Sequence, residues 1–262
     1  MADASMKDII ERLARRTLET QQAVPFDGTF LHPRSLVEEP RAEMSVIDAI
    51  LTRRTARVYA EEPVPFELFE RLIEAASHAP SACNEQRWKV IYIDDRAILG
   101  ELYARGSAAF LKNVRQAFLL LYNRDTDNLK YQDHFQSGAS FITTFSLLGH
   151  AVGVGSCWVC HLPHRGELRR FFGVDPHYDP IALVSFGYYK SKIKARPRKQ
   201  ETTRLISRNR FDFPALRFSD TKNIPMRRLA MAVYYAIPPV VRKRLRRLSL
   251  PYEKKFYDEV AD

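Results

Sequence analysis

Arg53-Arg54-Thr55-Ala56-Arg57 closes one apolar-periodic stretch, and Ala79-Pro80-Ser81-Ala82-Cys83-Asn84-Glu85-Gln86-Arg87-Trp88 closes the next. These two segments decide the fold. Three guanidiniums within five residues form a permanently charged, fork-shaped donor set suited to phosphate or another polyanion. The second segment places small side chains, a hydroxyl, an amide and an aromatic ring at a helix-to-strand corner, where backbone can approach a flat heterocycle. Taken alone, the arginines read equally as a solvated helix end and the Pro-Ser pair as a turn. For Arg57 the plain alternative is an ion pair with Glu61 or Glu62.

Outward from these segments the periodicity predicts mixed elements. Residues 44–52 and 66–77 read as amphipathic helices, the second with Leu68, Phe69, Leu72, Ile73 and Ala76 on one face. Residues 96–106 and 132–152 also read as helices, the latter long, sparsely charged after Phe135 and ended by Gly153. Residues 89–94, 117–122 and 181–188 read as strands.

At 262 residues, with 45% hydrophobic and 27% charged, the chain can bury a full core as one domain with extensions. Three cysteines form no disulfide framework, and residues 1–16 mix acids and bases without an apolar core. The expected location is cytoplasmic. The net charge of +10 is unevenly placed: residues 221–250 hold eight basic side chains (Lys222, Arg227, Arg228, Arg242, Lys243, Arg244, Arg246, Arg247) and no acid. Between them, residues 229–241 are apolar or aromatic, interrupted by Pro238 and Pro239, and too short for the roughly 20 residues a bilayer span needs. Three roles fit this tail: wrapping a partner subunit, peripheral contact with an anionic membrane, or phosphate-backbone binding. The lack of any nucleic-acid-binding motif argues against the last.

The order of landmarks resembles the FMN-dependent nitroreductase family over about residues 46–206. An Arg-Arg-Ser-x-Arg-like cluster is matched by Arg53, Arg54, Thr55 and Arg57, followed by Pro63-Val64-Pro65 and a second helix. A Pro-Ser-x-x-Asn-x-Gln-x-Trp corner is matched by Pro80, Ser81, Asn84, Gln86 and Trp88, and a Gly-Leu-Gly-Thr-Cys-Trp-like strand by Gly153-Val154-Gly155-Ser156-Cys157-Trp158.

The resemblance implies an α+β sandwich with a central, mainly antiparallel sheet flanked by helices, in an intertwined homodimer. Its divisions are an N-terminal extension (1–43), an FMN-binding domain (44–206) and a basic C-terminal extension (207–262). The resemblance also implies FMN at the subunit interface. Arg53, Arg54 and Thr55 would hold its phosphate and ribityl chain, and Arg57 would stand near the pyrimidine edge, where two-electron reduction puts negative charge. Pro80, Ser81, Ala82 and Asn84 would come from the other subunit. Trp158, Val159 and Cys160 would carry the ring, with an N–H near Cys160 directed at N5. Arg196 and Arg198 would close on the phosphate, although residues 190–199 also read as a solvated basic loop.

Two departures stand out. Cys160 occupies a position where relatives often carry glycine, and Gln136-Ser137-Gly138-Ala139-Ser140-Phe141-Ile142 replaces a helix stretch with an acid and a Gln-Asn pair.

Cys157-Trp158-Val159-Cys160-His161 also fits haem attachment, a redox dithiol or, with His164, zinc. Strand alternation sends Cys157 and Cys160 to opposite faces, so no metal is expected. The implied activity is hydride transfer from NADH or NADPH through FMN to a nitroaromatic, quinone-like or other conjugated small-molecule acceptor, by ping-pong kinetics and with no side chain named as catalytic. Alternatives are a dehalogenase or desaturating oxidase acting on a biosynthetic intermediate, or a non-catalytic membrane-surface or adaptor protein keeping the fold. Residues 106–130 and the termini are expected to choose the acceptor.

Overall fold

In the computed structural model, the described residues are 44–125, 128, 130–159, 161–195, 197–198, 203, 205–214, 224–238 and 241. The extension 1–43 lies outside them, as does most of the basic tail. The chain runs α1 (Val46–Thr52), α2 (Phe66–Ala76), a 3-10 turn (Ala82–Asn84), β1 (Trp88–Ile93) and α3 (Arg96–Ala104). It continues through a second 3-10 turn (Ala109–Asn113), β2 (Gln116–Asn123), α4 (Asp133–Ala151), β3 (Val154–Val159), α5 (Arg165–Phe172), β4 (Tyr178–Tyr188) and α6 (Ile224–Ala236).

The strands form one antiparallel sheet in the order β1-β2-β4-β3. Alternation along β2 sends Phe118 and Leu120 to one face and Ala117, Leu119 and Leu121 to the other. The first face packs Phe69, Leu72 and Ala76 of α2 and Phe141, Ile142 and Phe145 of α4 around Val184 and Phe186. The second packs Leu99 and Leu102 of α3, Leu111 of the 3-10 turn and Leu168 of α5. Each fully buried Leu or Phe contributes about 1.5–3 kcal/mol, so the two-faced burial of β2 is the main cohesive term.

Residues 106–130, expected to choose the acceptor, therefore contain a central core strand. Only their flanks remain for that role. The helix α5 was not expected, because it is short and rich in charge; His164 caps its N-terminus, with Nδ1 accepting from the Gly166 N–H at 3.3 Å.

One buried polar residue ties the helical layer to the sheet. The Gln116 side chain accepts from the Val64 N–H at 2.8 Å and donates to the Val64 carbonyl at 2.7 Å, fixing the Pro63-Val64-Pro65 connection. Beyond edge strand β3, Thr55 forms a parallel bridge with Ser156 and Tyr59 an antiparallel one with Tyr189. This close seating requires glycine. A Cβ on Gly155 would stand 2.8 Å from the Ala56 Cβ and 2.8 Å from Tyr189, and one on Gly187 would stand 2.8 Å from the Tyr59 Cβ.

Gly155→Ala should therefore lower stability by about 1–3 kcal/mol through overpacking against a rigid Cβ. Gly100→Ala, inside α3 where an added Cβ meets nothing within 4 Å, should raise it by up to about 1 kcal/mol. Denaturant unfolding of the two variants checks the opposite signs.

Candidate functional site

The arginine segment leaves α1 at Arg53 and runs along the sheet edge. The Ala56 N–H donates to the Ser156 carbonyl at 3.0 Å, and the Ala60 N–H to the Tyr188 carbonyl at 2.9 Å. Tyr59 sits beneath it, its hydroxyl 2.7 Å from the Ala56 carbonyl and 2.8 Å from Ser185 Oγ. Burial raises the Tyr59 pKa well above the usual phenol value, so this hydroxyl stays a neutral donor. The backbone carrying the arginines is thus held at three points.

Arg53 and Arg54 are half-buried and Arg57 is exposed. Arg54 Nη1 donates to the carbonyls of Leu51 and Arg53, each at 2.8 Å, closing the C-terminus of α1. Among the described residues, none of the three arginines has a carboxylate partner. Glu61, one of the two ion-pair candidates for Arg57, is bound instead by Arg115, whose hydrogen bond and charge lower its pKa. An always-charged cluster that no carboxylate among the described residues neutralises is suited to an external anion.

Beside it, β3 buries Cys157 and Val159 and leaves Trp158 41% exposed at the sheet edge. Cys160 and Arg196 lie outside the described residues. Arg198 is exposed. Among the described residues, no group of His, Cys, Asp and Glu is arranged to hold a metal.

The corner after α2 has a conformation that its letters conceal. Cys83, Asn84 and Gln86 all adopt left-handed backbone, at φ 51°, 55° and 52°. Each non-glycine residue there costs about 1–2 kcal/mol, and such clustering is typical of ligand clamps. The strain is held by local bonds: Ser81 Oγ accepts from the Gln86 N–H at 3.2 Å, Asn84 Oδ1 accepts from Gln86 Nε2 at 2.7 Å, and the Ala82 N–H donates to Ser137 Oγ at 3.0 Å. Pro80 and Asn84 are exposed, and Ser81 and Ala82 half-buried. Trp88 anchors the corner from behind, its Nε1 donating to the Ser137 carbonyl at 3.4 Å.

Within one chain the two segments do not meet. The corner rests on Ser137 near the start of α4, whereas the arginines lie beside His150 in its last turn. Thirteen positions separate Ser137 from His150, about 20 Å of helix. His150 was not singled out from the sequence. Its Nε2 lies 2.8 Å from Thr52 Oγ1 and its Nδ1 2.9 Å from the Tyr189 hydroxyl. Burial, then Arg53 and Arg54, lower its pKa. At the other end of α4, burial likewise lowers the pKa of His134, with Asp179 opposing.

A two-faced antiparallel sheet, an arginine edge with no carboxylate partner among the described residues and a strained helix-to-strand corner make up an α+β sandwich with its candidate anion site at one sheet edge. The chain belongs to the nitroreductase family: the family model for Nitroreductase matches residues 50–143 and 118–188, together more than half of the chain. A Thermus thermophilus protein described as NADH dehydrogenase is 37% identical over 187 residues, covering 56% of this chain and 89% of that one. A Methanothermobacter thermautotrophicus protein assigned the description NADH dehydrogenase/NAD(P)H nitroreductase is 30% identical over 152 residues, covering 56% of this chain and 78% of that one. Among solved structures, an FMN-dependent nitroreductase from Clostridium difficile R20291 superposes with a TM-score of 0.55 at 23% identity, over 63% of this chain and 99% of that one.

Proposed function

We propose that the protein is an FMN-dependent NAD(P)H oxidoreductase acting on a nitroaromatic, quinone-like or other conjugated acceptor. The observation that carries this reading is the rigidly seated arginine segment, with no carboxylate partner among the described residues and next to the exposed Trp158 edge. When bound, FMN supplies the two-electron chemistry, taking a hydride from NADH or NADPH and passing it to the acceptor in the same place.

The chain's own part is binding and charge. Arg53 and Arg54 hold the phosphate, with Thr55 at the ribityl chain and Arg198, joined by Arg196, closing from the later loop. Arg57, not committed to Glu61, stands where negative charge develops and lowers its free energy. The β3 edge at Trp158 and Val159, with Cys160 next in the chain, bears one face of the ring.

The Pro80, Ser81, Ala82 and Asn84 corner closes the crevice from a second copy in a homodimer. The geometry of α4 favours this. Its outer face, Gln136, Ala139, Ser140, Thr143, Ser146 and Leu147, is incompletely buried and mostly small. Thr143 and Thr144 lie midway between Ser137 and His150. Two α4 helices packed antiparallel about a twofold there bring the corner of one chain to the arginines of the other. Val46 and Ile50 on α1, which packs against α4, are also exposed.

Purified protein should be yellow and release FMN on heating. Arg53→Ala with Arg54→Ala should weaken FMN at least about a hundredfold, two charge-assisted contacts, and riboflavin, which lacks the phosphate, by less than about threefold. Equal loss for both flavins, or colourless protein that takes up no added FMN, would overturn the reading.

A peripheral contact between the basic tail and anionic lipid belongs to the same proposal. It is supported by α6, which exposes Met226, Leu229 and Val233 at helical spacing while Tyr234 rests against Gly106 of the same chain. No helix among the described residues is long and apolar enough to cross a membrane. Co-sedimentation with phosphatidylglycerol vesicles, abolished by high salt, is expected; sedimentation independent of lipid charge would contradict it.

A further inference from the structure

We infer, resting on the flavin reading above, that Thr52, His150 and Tyr189 form a proton-accepting floor beneath Arg53 and Arg54, and that seating a phosphate dianion there draws a proton onto His150.

Hydrogen accounting sets the starting state. The Thr52 hydroxyl donates to the Asp48 carbonyl at 2.5 Å, so toward the imidazole its oxygen can only accept. His150 Nε2 therefore carries the hydrogen in the 2.8 Å contact with Thr52. In the neutral ring Nδ1 is then the acceptor, and the Tyr189 hydroxyl donates to it at 2.9 Å. One tautomer satisfies all three groups.

Two influences oppose each other on this ring. His150 lies in the last turn of the 19-residue α4, where orphan carbonyls favour a cation. Burial and the positive charges of Arg53 and Arg54 disfavour it, and hold its pKa below the usual imidazole value. The charged groups acting on it are these two arginines from the end of α1. The other titratable neighbour is Tyr189 from the end of β4, a phenol raised by burial with the same arginines opposing. The Asp48 carboxylate is turned to the Ser45 hydroxyl at the start of α1.

A phosphate dianion between the arginines offsets their repulsion, so that burial alone is left to oppose the helix terminus and the dianion's own attraction for a cation. A proton from solvent then binds Nδ1, which donates to the Tyr189 oxygen, and the Tyr189 hydroxyl turns its hydrogen toward a phosphate oxygen. Protons balance: one is taken up and none is lost from Tyr189. Since the His150 pKa is low without the anion and higher with it, this contribution strengthens anion binding as pH falls between those two values. Protonation of the phosphate itself, near pH 6, acts in the opposite sense. His150→Gln isolates that second effect, because the amide keeps a donor and an acceptor but does not titrate.

The test is calorimetric titration of flavin-free protein with FMN, riboflavin or inorganic phosphate, each in two buffers of different ionisation enthalpy. Wild type should take up roughly half a proton more per FMN than His150→Gln at pH near 6.5. The variant should bind FMN about tenfold more weakly at pH 6 and within about twofold at pH 8.5. Inorganic phosphate should reproduce the proton difference, and riboflavin should not. In wild type, the His150 ring resonance should titrate at higher pH with phosphate than without, a reading that needs no variant. Equal proton counts in the two proteins, an equal difference with riboflavin, or a His150 titration unmoved by phosphate would overturn the inference while leaving flavin binding intact. Wild type that binds no FMN would overturn the flavin reading as well.

Discussion

Everything at the candidate site depends on how closely residues 53–60 sit on the sheet edge. Gly155 and Gly187 leave room for Ala56 and Tyr59, the Ala56 N–H joins the Ser156 carbonyl, and the buried Tyr59 hydroxyl closes the gap from below. Arginine side chains on a loose loop would lose most of their binding free energy to ordering. Here the backbone is ordered by the same contacts that complete the sheet. A side chain at either glycine would lift the segment, and with it Arg53, Arg54 and Arg57.

The second organising element is α4. One face, Ser137, Gly138, Phe141, Ile142, Phe145 and Gly149, is buried against the sheet, and Gly138 is needed because a Cβ would stand 2.6 Å from Ile181. The opposite face carries small and polar residues that a second helix could approach. The same helix holds the strained corner at its start, through Ser137, and neighbours the arginines at its end, through His150. It thus separates two half-sites by a fixed length, which is the physical reason for proposing that a site is completed by two chains.

Much of this was legible in the sequence, for identifiable reasons. The spacing of Phe69, Leu72 and Ala76 marks α2, and the apolar run of β2 marks a strand buried on both faces. The arginine cluster and the Trp158 strand were found by their order along the chain, and the structure brings them together at one edge. Other features had no sequence signal. Cys83, Asn84 and Gln86 adopt left-handed backbone without glycine, and only their hydrogen bonds show why. His150 pairs with groups 98 and 39 residues away, a distance that no local pattern spans. The ion pair considered for Arg57, with Glu61 or Glu62, is not formed among the described residues, and Arg115 takes Glu61 instead.

The central claim is that one chain supplies the arginines and another the Pro80 corner of each flavin crevice. Co-expression of an Arg53→Ala, Arg54→Ala chain with an Ala82→Arg chain tests it most directly, by measuring FMN bound per protomer. Each variant alone should bind almost none. Together, half of the dimers are mixed and each holds one intact crevice, so flavin should return to roughly a quarter of the wild-type content. Flavin content no higher than in the separate variants would contradict the account.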